Sequence, residues 1–245
     1  LRTALRQAVG PTGCGRRGTV RIVGVGRLRL RDVTESVQAA ASPRVFRMRV
    51  AVISRSGLSL RKDISPMRKI SNSELGRPSA EEFARMPKCP VVVVLDDVRS
   101  LNNVGSFFRT CDAFAVERLF LCGITATPPH RDIHKTALGA ELTVPWEYVP
   151  DAAEAVRRLR AEGRRVLAVE QVEGAVSLDE WKTEPGERYA LVFGNEVHGV
   201  GQAAADLCDG AVEVPQSGTK HSINVSVCGG VVLWEVYRQW LAHGW

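Results

Sequence analysis

Three polar segments of the sequence could carry chemistry: residues 101–109, 191–201 and 214–226. Each combines glycine with amide, carboxylate, hydroxyl or guanidinium side chains, and each follows an apolar run that is typical of a buried strand. The glycines allow a ligand to approach the backbone closely. In open α/β sheets, ligands bind beside the carboxyl ends of the strands. The three segments therefore predict a ligand site formed by loops at that edge of a sheet.

Each segment also has an ordinary structural interpretation, and the residues alone leave both open. Arg109 could form a surface ion pair, and the glycine-framed turn at 194–199 could simply join a strand to a helix. Ser222 could cap the terminal helix. His221 next to Ser222 hints at a hydrolase, but the G-x-S-x-G elbow of such enzymes is missing around it.

Two glycine-containing stretches do not make nucleotide-binding motifs. Gly24-Val25-Gly26 lacks the third glycine of the dinucleotide fingerprint, and no helical pattern follows it. Residues 218–220, Gly-Thr-Lys, lack the rest of a phosphate-binding loop. The ligand site is therefore expected to work without the usual dinucleotide signature.

An alternation of strands and helices must position the three segments. Apolar runs predict strands at 90–95, 118–122, 165–169, 189–193 and 211–214. Helices are expected at 104–114 with Asn103 as N-cap, at 131–138, around 152–159 until Gly163 ends it, and at 224–241. Strands separated by helices imply an α/β fold, a mostly parallel sheet with helices on both faces.

The basic charge of the chain is confined to its first quarter. The 245 residues carry 33 Lys and Arg against 27 Asp and Glu, a net charge of +6. Residues 1–66 have a net charge of +11, with 14 basic and 3 acidic side chains, whereas residues 67–245 have a net charge of −5. Nucleic-acid contact by the core would therefore need local clusters, such as the arginines at 157, 158, 160, 164 and 165.

Three interpretations of residues 1–66 remain open. In these, the segment is either disordered or lies ahead of the true start of the protein. The sequence begins with Leu1, and Met67 could be the natural start of the protein. The segment could instead be a flexible basic arm that binds nucleic-acid phosphates without sequence preference. Its Arg-rich, acid-poor composition is also typical of an organellar presequence, although no clear amphipathic helix is visible.

Cysteine spacing and composition favour a cytoplasmic protein with reduced thiols and no metal site. None of the six cysteines forms a C-x-x-C pair, and most lie in apolar stretches. His130 and His134 are four residues apart, as metal ligands can be, but without a third ligand nearby a solvated helix face is expected. No run approaches the roughly 18 apolar residues of a membrane-spanning helix.

The order and content of the three segments resemble the SpoU (TrmH-like) branch of the SPOUT RNA methyltransferases. The first resembles that family's Asn-x-Gly-x-x-x-Arg motif, with Asn103, Gly105 and Arg109. The second resembles its Gly-Asn-Glu motif, at 194–196, followed by Gly199. The third resembles its Ile-Pro-Met … Ser-Leu-Asn-Val-Ser motif, at 214–216 and 222–226. The resemblance covers about residues 88–243, and residues 1–66 match nothing in the family.

The resemblance implies an α/β fold with a deep C-terminal trefoil knot, in an obligate homodimer. It divides the chain into the basic extension (1–66), a short lead-in (67–88) and a methyltransferase domain (89–245). It further implies that S-adenosylmethionine donates a methyl group to a ribose 2′-hydroxyl in tRNA or rRNA. The alternatives are a catalytically idle RNA-binding relative and a nicotinamide-dependent oxidoreductase, which the missing glycine fingerprint disfavours.

By residue match, the resemblance also assigns roles to single residues. Backbone groups of Gly194, Val214 and Ile223 are expected to contact the cofactor, while the side chains and backbone of Asn195, Glu196 and Gly199 shape its cavity.

Arg109, Ser222 and Asn224 match the catalytic positions, and Asn103 and Glu196 match supporting ones. A guanidinium rarely gives up its proton in a protein. Arg109 is therefore expected to hold the target phosphate and polarise the hydroxyl rather than act as a base. The remaining contacts with RNA are expected from the site loops of two subunits.

Overall fold

The computed structural model describes residues 51–54, 57–60 and 68–243. Ala51–Ser54 (β1) and Gly57–Leu60 (β2) pair antiparallel and belong to the first of two units, which ends at Ile70. The sequence does not predict these two strands. The other residues of the 1–66 extension lie outside the described part, so its three interpretations stay predictions.

The second compact unit begins at Ser71 and is built on one seven-stranded sheet. The strands are Cys89–Asp96 (β3), Val116–Cys122 (β4), Trp146–Val149 (β5), Arg165–Val169 (β6), Val176–Ser177 (β7), Tyr189–Phe193 (β8) and Gly210–Glu213 (β9). Their order is β5-β4-β3-β8-β6-β9-β7, and every pairing is parallel. The short strands β5 and β7 are not predicted from the sequence.

Six α-helices accompany the sheet in the described part of the chain. They are Ala80–Arg85 (α1), Leu101–Ala113 (α2), Arg131–Ala137 (α3), Ala152–Ala161 (α4), Gln202–Ala205 (α5) and Val225–His243 (α6). Two single turns of 3₁₀ helix, Asn72–Leu75 and Ala140–Leu142, complete the regular structure there.

Side chains of the sheet alternate between two apolar cores, one on each face. Along β3, Val91, Val93 and Leu95 belong to the core that α2, α3 and α6 cover. Val92 and Val94 belong to the core that α4 and α5 cover. Because both faces are covered, all five side chains are buried, which explains the unbroken apolar run in the sequence. The predicted parallel α/β fold with helices on both faces is confirmed.

The strand order brings together segments that are about ninety residues apart in sequence. β8 lies between β3 and β6, so that Phe193 at its end pairs with Leu95 on one side and Val169 on the other. Because every pairing is parallel, the loops after these strands leave the sheet at the same edge. This edge carries the predicted site segments.

The first turn of α2 differs from its prediction. The helix begins at Leu101, and its N-cap is Ser100, whose Oγ accepts the N–H of Asn103 at 3.4 Å. The prediction that Asn103 caps the helix is wrong. Asn103 lies inside the first turn and is buried, because its side chain forms hydrogen bonds to other segments of the fold.

The start of α6 also differs from its prediction. Asn224, rather than Ser222, caps this helix: its Oδ1 accepts the N–H groups of Ser226 at 3.0 Å and Val227 at 3.3 Å. Ser222 is exposed and lies three residues before the helix begins. Its side chain is therefore free of a capping role. Among the described residues, no helix combines the length and apolar character needed to cross a membrane.

The helices α2 and α6 pack closely because Gly229 has no side chain. A Cβ at Gly229 would lie 2.3 Å from Cε1 of Phe107, which is buried against Phe193 at 5.1 Å between ring centroids. A Cβ at the next residue, Gly230, would meet nothing within 4 Å. Alanine at Gly229 would therefore change both the packing against Phe107 and the helix propensity, whereas alanine at Gly230 would change the helix propensity alone.

We expect Gly229→Ala to lower the free energy of unfolding by about 1–3 kcal/mol, because the methyl group overpacks a core that cannot move aside. Gly230→Ala is the matched control and should raise the free energy of unfolding by up to about 1 kcal/mol, the gain in helix propensity. Urea denaturation of both variants measures the difference. Equal effects of the two substitutions would contradict the close approach of α6 to Phe107.

Candidate active site

A cavity of about 470 Å³ opens at the carboxyl edge of the sheet. Its walls come from the ends of β6, β8 and β9 and from residues 221–225, which lead into α6. Eight of the predicted site residues line it: Gly194, Asn195, Glu196, Gly199, Val214, Ser222, Ile223 and Asn224. The second and third sequence segments therefore meet around one space.

The turn after β8 is closed by Asn195 and depends on two glycines. The backbone N–H and C=O of Asn195 pair with those of Gly199, at 2.9 Å each, and its Oδ1 accepts the N–H of Val197 at 2.8 Å. Gly199 has a φ of +68°, in the left-handed region. A Cβ at Gly194 would lie 2.0 Å from the carbonyl carbon of Gly199. The backbone of this turn therefore borders the cavity directly.

Glu170 fastens the same turn to β6, a role that the sequence did not reveal. Its Oε2 accepts the N–H of Val200 at 3.0 Å, and its Oε1 accepts the N–H of Gln171 at 2.9 Å. A Cβ at Gly199 would lie 2.1 Å from that Oε2. The only signal in the sequence is a carboxylate directly after the predicted strand at 165–169.

Glu196 joins the turn after β8 to the loop after β3. Its Oε2 accepts the N–H of Arg99 at 3.0 Å, and its Oε1 accepts the N–H of Ser100 at 3.0 Å and Nδ2 of Asn103 at 2.9 Å. Partial desolvation raises the pKa of Glu196, but the hydrogen bonds from Arg99, Asn103 and Ser100 outweigh it, and the pKa lies below its ordinary value. The carboxylate is therefore held in its charged form.

Asn103, Asn224 and Ser226 extend these hydrogen bonds into the third segment. Nδ2 of Asn224 donates to Oδ1 of Asn103 at 3.2 Å. Ser226 Oγ lies 3.2 Å from Oδ1 of Asn103 and 2.7 Å from Oδ1 of Asn224, so its hydroxyl can donate to either. We call Glu196, Asn103, Asn224 and Ser226 the amide network. Only the Ser-x-Asn-x-Ser spacing could have pointed to Ser226 in the sequence.

The amide network fixes which way the Asn224 side chain points. Its Oδ1 accepts from the first N–H groups of α6, and one Nδ2 hydrogen is directed at Asn103. An amide nitrogen carries two hydrogens. Asn224 can therefore offer its second N–H to a ligand, but its oxygen is already occupied.

Of the three residues expected at the catalytic positions, Arg109 is the one that does not line the cavity, whereas Asn103, expected in a supporting role, reaches the cavity wall only through its hydrogen bonds. Arg109 follows Asn103 by six residues, about 9 Å along α2 and about a third of a turn around it. Its side chain is exposed, and within residues 68–243 it makes no ion pair or hydrogen bond. Arg109 could be part of a surface ion pair, as the sequence allows, but it has no acidic partner in the described part of the chain.

A second cleft of about 440 Å³ adjoins the cavity. The two spaces share Glu196, Val197 and Asn224 as a wall. The other residues of the cleft are Arg99, Ser100 and Asn103, from the loop after β3 and the start of α2. The site is therefore a pair of adjoining spaces with the amide network between them.

The two histidines four residues apart make other contacts. Nδ1 of His130 accepts the N–H of Asp132 at 3.1 Å, and Nδ1 of His134 pairs with Oε1 of Glu141 at 2.5 Å. Between residues 68 and 243, no group of three His, Cys, Asp or Glu side chains could hold a metal ion. Of the five free cysteines described, three are buried.

Comparison with known proteins gives one consistent family. A sequence profile of the SpoU rRNA Methylase family matches residues 90–234. A tRNA (guanosine(18)-2′-O)-methyltransferase of Thermus thermophilus is 34% identical over 173 residues, which are 70% of this chain and 87% of that protein. The 23S rRNA (guanosine-2′-O-)-methyltransferase RlmB of Vibrio vulnificus is 27% identical over 179 residues, 73% of this chain and 69% of that protein.

Solved structures agree with these sequence matches. The A. aeolicus TrmH/SpoU tRNA modifying enzyme superposes with a TM-score of 0.60 at 25% identity, covering 67% of this chain and 82% of that one. The SpoU methyltransferase AviRb of Streptomyces viridochromogenes, in complex with AdoMet, superposes with a TM-score of 0.56 at 25% identity. The shared part is 67% of this chain and 63% of AviRb.

We expect Glu196→Gln to lower the free energy of unfolding by about 1 kcal/mol at neutral pH, because one charged acceptor is replaced by an amide N–H facing Arg99. The folded-state pKa of Glu196 is lowered, so this stabilisation is present above the ordinary pKa of about 4.3. It should vanish as the pH falls through the lowered folded value. Urea denaturation of both proteins across this pH range measures the effect.

Glu173→Gln is the control for this measurement, because Glu173 is exposed and has no hydrogen-bond partner among residues 68–243. It should leave the stability unchanged throughout. A difference between wild type and Glu196→Gln that grew on acidification would contradict the assigned hydrogen bonds.

Proposed function

We propose that this chain, which belongs to the SpoU rRNA Methylase family, transfers a methyl group from S-adenosylmethionine to a ribose 2′-hydroxyl in tRNA or rRNA. Relatives that carry the names of guanosine-2′-O-methyltransferases act on tRNA and on 23S rRNA. The observation that carries the proposal is that the second and third motifs line one cavity, and that Glu196 and Asn224 in its wall form hydrogen bonds with Asn103 of the first motif. This intact amide network disfavours a catalytically idle relative.

The cavity fits S-adenosylmethionine better than a dinucleotide. Its volume of about 470 Å³ lies in the range of sites for small-molecule ligands. Glu170, Glu196 and Glu213 line it, and no Lys or Arg does. This negative lining favours a cationic sulfonium and disfavours the pyrophosphate of a nicotinamide cofactor. When bound, S-adenosylmethionine supplies a methyl group that the sulfonium charge activates for transfer.

The residues that would hold the methyl donor are those of the turn after β8 and the segment before α6. Backbone groups at Gly194, Val214 and Ile223 would form its contacts, and Asn195 and Gly199 would keep the turn open for it. The fixed shape of this turn reduces the ordering that binding would otherwise require.

Asn224 acts on the ribose hydroxyl as a hydrogen-bond donor. Its second Nδ2 hydrogen is the group that it can present, because its Oδ1 already accepts from α6. A donor held in advance stabilises negative charge as it develops on the 2′-oxygen. Ser222, which lines the cavity together with Asn224, would add a hydroxyl contact at the place where the ribose 2′-oxygen meets the methyl donor.

A homodimer completes the site in this proposal. Arg109 lies away from the cavity of its own protomer, so the phosphate-holding role requires it to reach the site of a second copy. Exposed apolar side chains follow one another along α6 at Val227, Val231, Trp234 and Leu241. An apolar row of this kind is typical of an interface.

The C-terminal trefoil knot and the cytoplasmic location belong to the same proposal. In support of the knot, α6 packs against α2 beside β3, although the preceding strand β9 lies beyond β8 and β6. A cytoplasmic location suits the RNA substrates of the named relatives.

The proposed activity predicts methyl transfer from labelled S-adenosylmethionine to the ribose of tRNA or rRNA. We expect label in 2′-O-methylated nucleosides after nuclease digestion of the RNA, and calorimetric binding of S-adenosylmethionine without RNA. RNA with a 2′-deoxynucleotide at the modified position is the control and should stay unlabelled. Binding of nicotinamide cofactors alone, or label only on bases, would overturn the proposal.

The proposed dimer predicts that two inactive variants restore each other. Arg109→Ala and Asn224→Ala should each lower the rate of methyl transfer by about 100-fold or more, the loss typical for a removed transition-state donor. If Arg109 acts in the partner's site, a mixed dimer of the two variants contains one intact site. Co-expressed, differently tagged chains should therefore regain up to about half the wild-type rate per mixed dimer. A mixed dimer without activity would contradict the role in the second copy.

A further inference from the structure

The second cleft shares a wall with the cavity that we propose for the methyl donor. Glu196, Val197 and Asn224 separate the two spaces. The cleft has a volume of about 440 Å³ and is more open to solvent than the cavity. A methyl transfer needs the acceptor oxygen about 3–3.5 Å from the methyl carbon, so the acceptor must bind directly beside the methyl donor, and an adjoining cleft offers that place. Asn224 is the shared residue that can donate a hydrogen bond.

Arg99 supplies the positive charge of the cleft. Its backbone N–H donates to Oε2 of Glu196, which fixes the position of the residue. Its side chain is exposed, and within the described part of the chain its guanidinium makes no ion pair or hydrogen bond. An unpaired guanidinium at the mouth of a cleft is well suited to bind a phosphate, because it offers several N–H donors together with a positive charge.

Many other arginines of the domain are already engaged. Three arginines of the cluster that the sequence suggested for nucleic-acid contact are in ion pairs: Arg158 with Glu147, Arg160 with Asp209, and Arg164 with Glu117. These ion pairs leave less free charge on α4 and β6 than the sequence suggested. Arg99 differs from them because no carboxylate among residues 68–243 forms an ion pair with it.

The carboxylate of Glu196 lines the same cleft as Arg99 but forms no ion pair with its guanidinium. Both carboxylate oxygens already accept N–H groups, one from Arg99 and two from Ser100 and Asn103. Each carboxylate oxygen of Glu196 is therefore engaged by N–H groups of the loop after β3 and the start of α2. The groups that remain for a ligand in this cleft are donors, the guanidinium of Arg99 and the second Nδ2 hydrogen of Asn224.

We propose that the second cleft receives the RNA nucleotide to be methylated and that Arg99 binds a phosphate of that nucleotide or of its neighbour. This inference rests on the proposed function, because it places the acceptor opposite the methyl donor. Arg99 is a substrate-binding residue in this role and takes no part in binding S-adenosylmethionine. The phosphate is that of the RNA backbone.

The test compares RNA binding by Arg99→Ala, Arg99→Lys and Arg85→Ala. The control residue Arg85 is exposed at the end of α1, ahead of the amino end of β3, and makes no ion pair within residues 68–243. We expect Arg99→Ala to bind substrate RNA about 3- to 10-fold more weakly at roughly 0.1 M salt. The magnitude of the slope of log affinity against log salt concentration should fall by about 1, the contribution of a single phosphate contact.

The two other variants and the methyl donor provide the controls. Arg99→Lys should retain most of the salt slope, because it keeps the charge, and Arg85→Ala should match the wild type. Affinity for S-adenosylmethionine, measured by calorimetry without RNA, should be equal in all four proteins. Inorganic phosphate should displace no more RNA from the wild type than chloride does at the same ionic strength.

Several results would overturn the proposal while leaving the proposed function intact. One is methyl transfer by the wild type together with an unchanged RNA affinity and salt slope in Arg99→Ala. Another is an equal loss of affinity for S-adenosylmethionine, which would mean that Arg99 acts only through Glu196. Displacement of RNA by inorganic phosphate would show that the cleft takes the free anion. Failure of the wild type to bind S-adenosylmethionine would instead refute the proposed function itself.

Discussion

One carboxylate connects the two sides of the site. Glu196, on the turn after β8, accepts three N–H groups from the loop after β3 and the first turn of α2. These segments are nearly a hundred residues apart in sequence, and they meet only because β8 pairs with β3 in the sheet. Without a charged acceptor at this point, two backbone N–H groups and the Asn103 amide would lose their partner. The orientation of Asn103, and through it that of Asn224, depends on this carboxylate.

Backbone shape provides the second constraint. The turn that carries Glu196 needs Gly194 and Gly199, because a side chain at the first would collide with the second and because Gly199 has a positive φ. Glu170, which follows β6, accepts a hydrogen bond from Val200 after the turn, and the side chain of Asn195 accepts one from Val197 within it. The chain therefore forms its ligand cavity largely from backbone, and it places few but well-fixed polar side chains at its edge.

Much of this arrangement could be predicted from the sequence, and the failures have physical causes. The strands Tyr189–Phe193 and Arg165–Val169 follow from apolar runs, because both faces of the sheet are covered. The edge strand Trp146–Val149 escaped prediction because three of its four side chains are exposed. Asparagine is a common N-cap residue, but Asn103 lies three residues after the actual N-cap, Ser100, because its side chain forms hydrogen bonds with Glu196 and Asn224. The strand order, the role of Ser226 and the distance of Arg109 from the cavity depend on contacts that spacing alone does not encode.

The dependence of Asn224 on Glu196 is tested most directly by a double-mutant cycle. The single-turnover rate of methyl transfer would be measured at saturating S-adenosylmethionine and RNA for Glu196→Gln, Asn224→Ala and the double variant. If Glu196 acts through Asn103 on the Asn224 amide, the double variant should be no slower than Asn224→Ala alone, within about threefold. Losses that multiply, so that the double variant is slower by the product of the two single effects, would contradict this dependence.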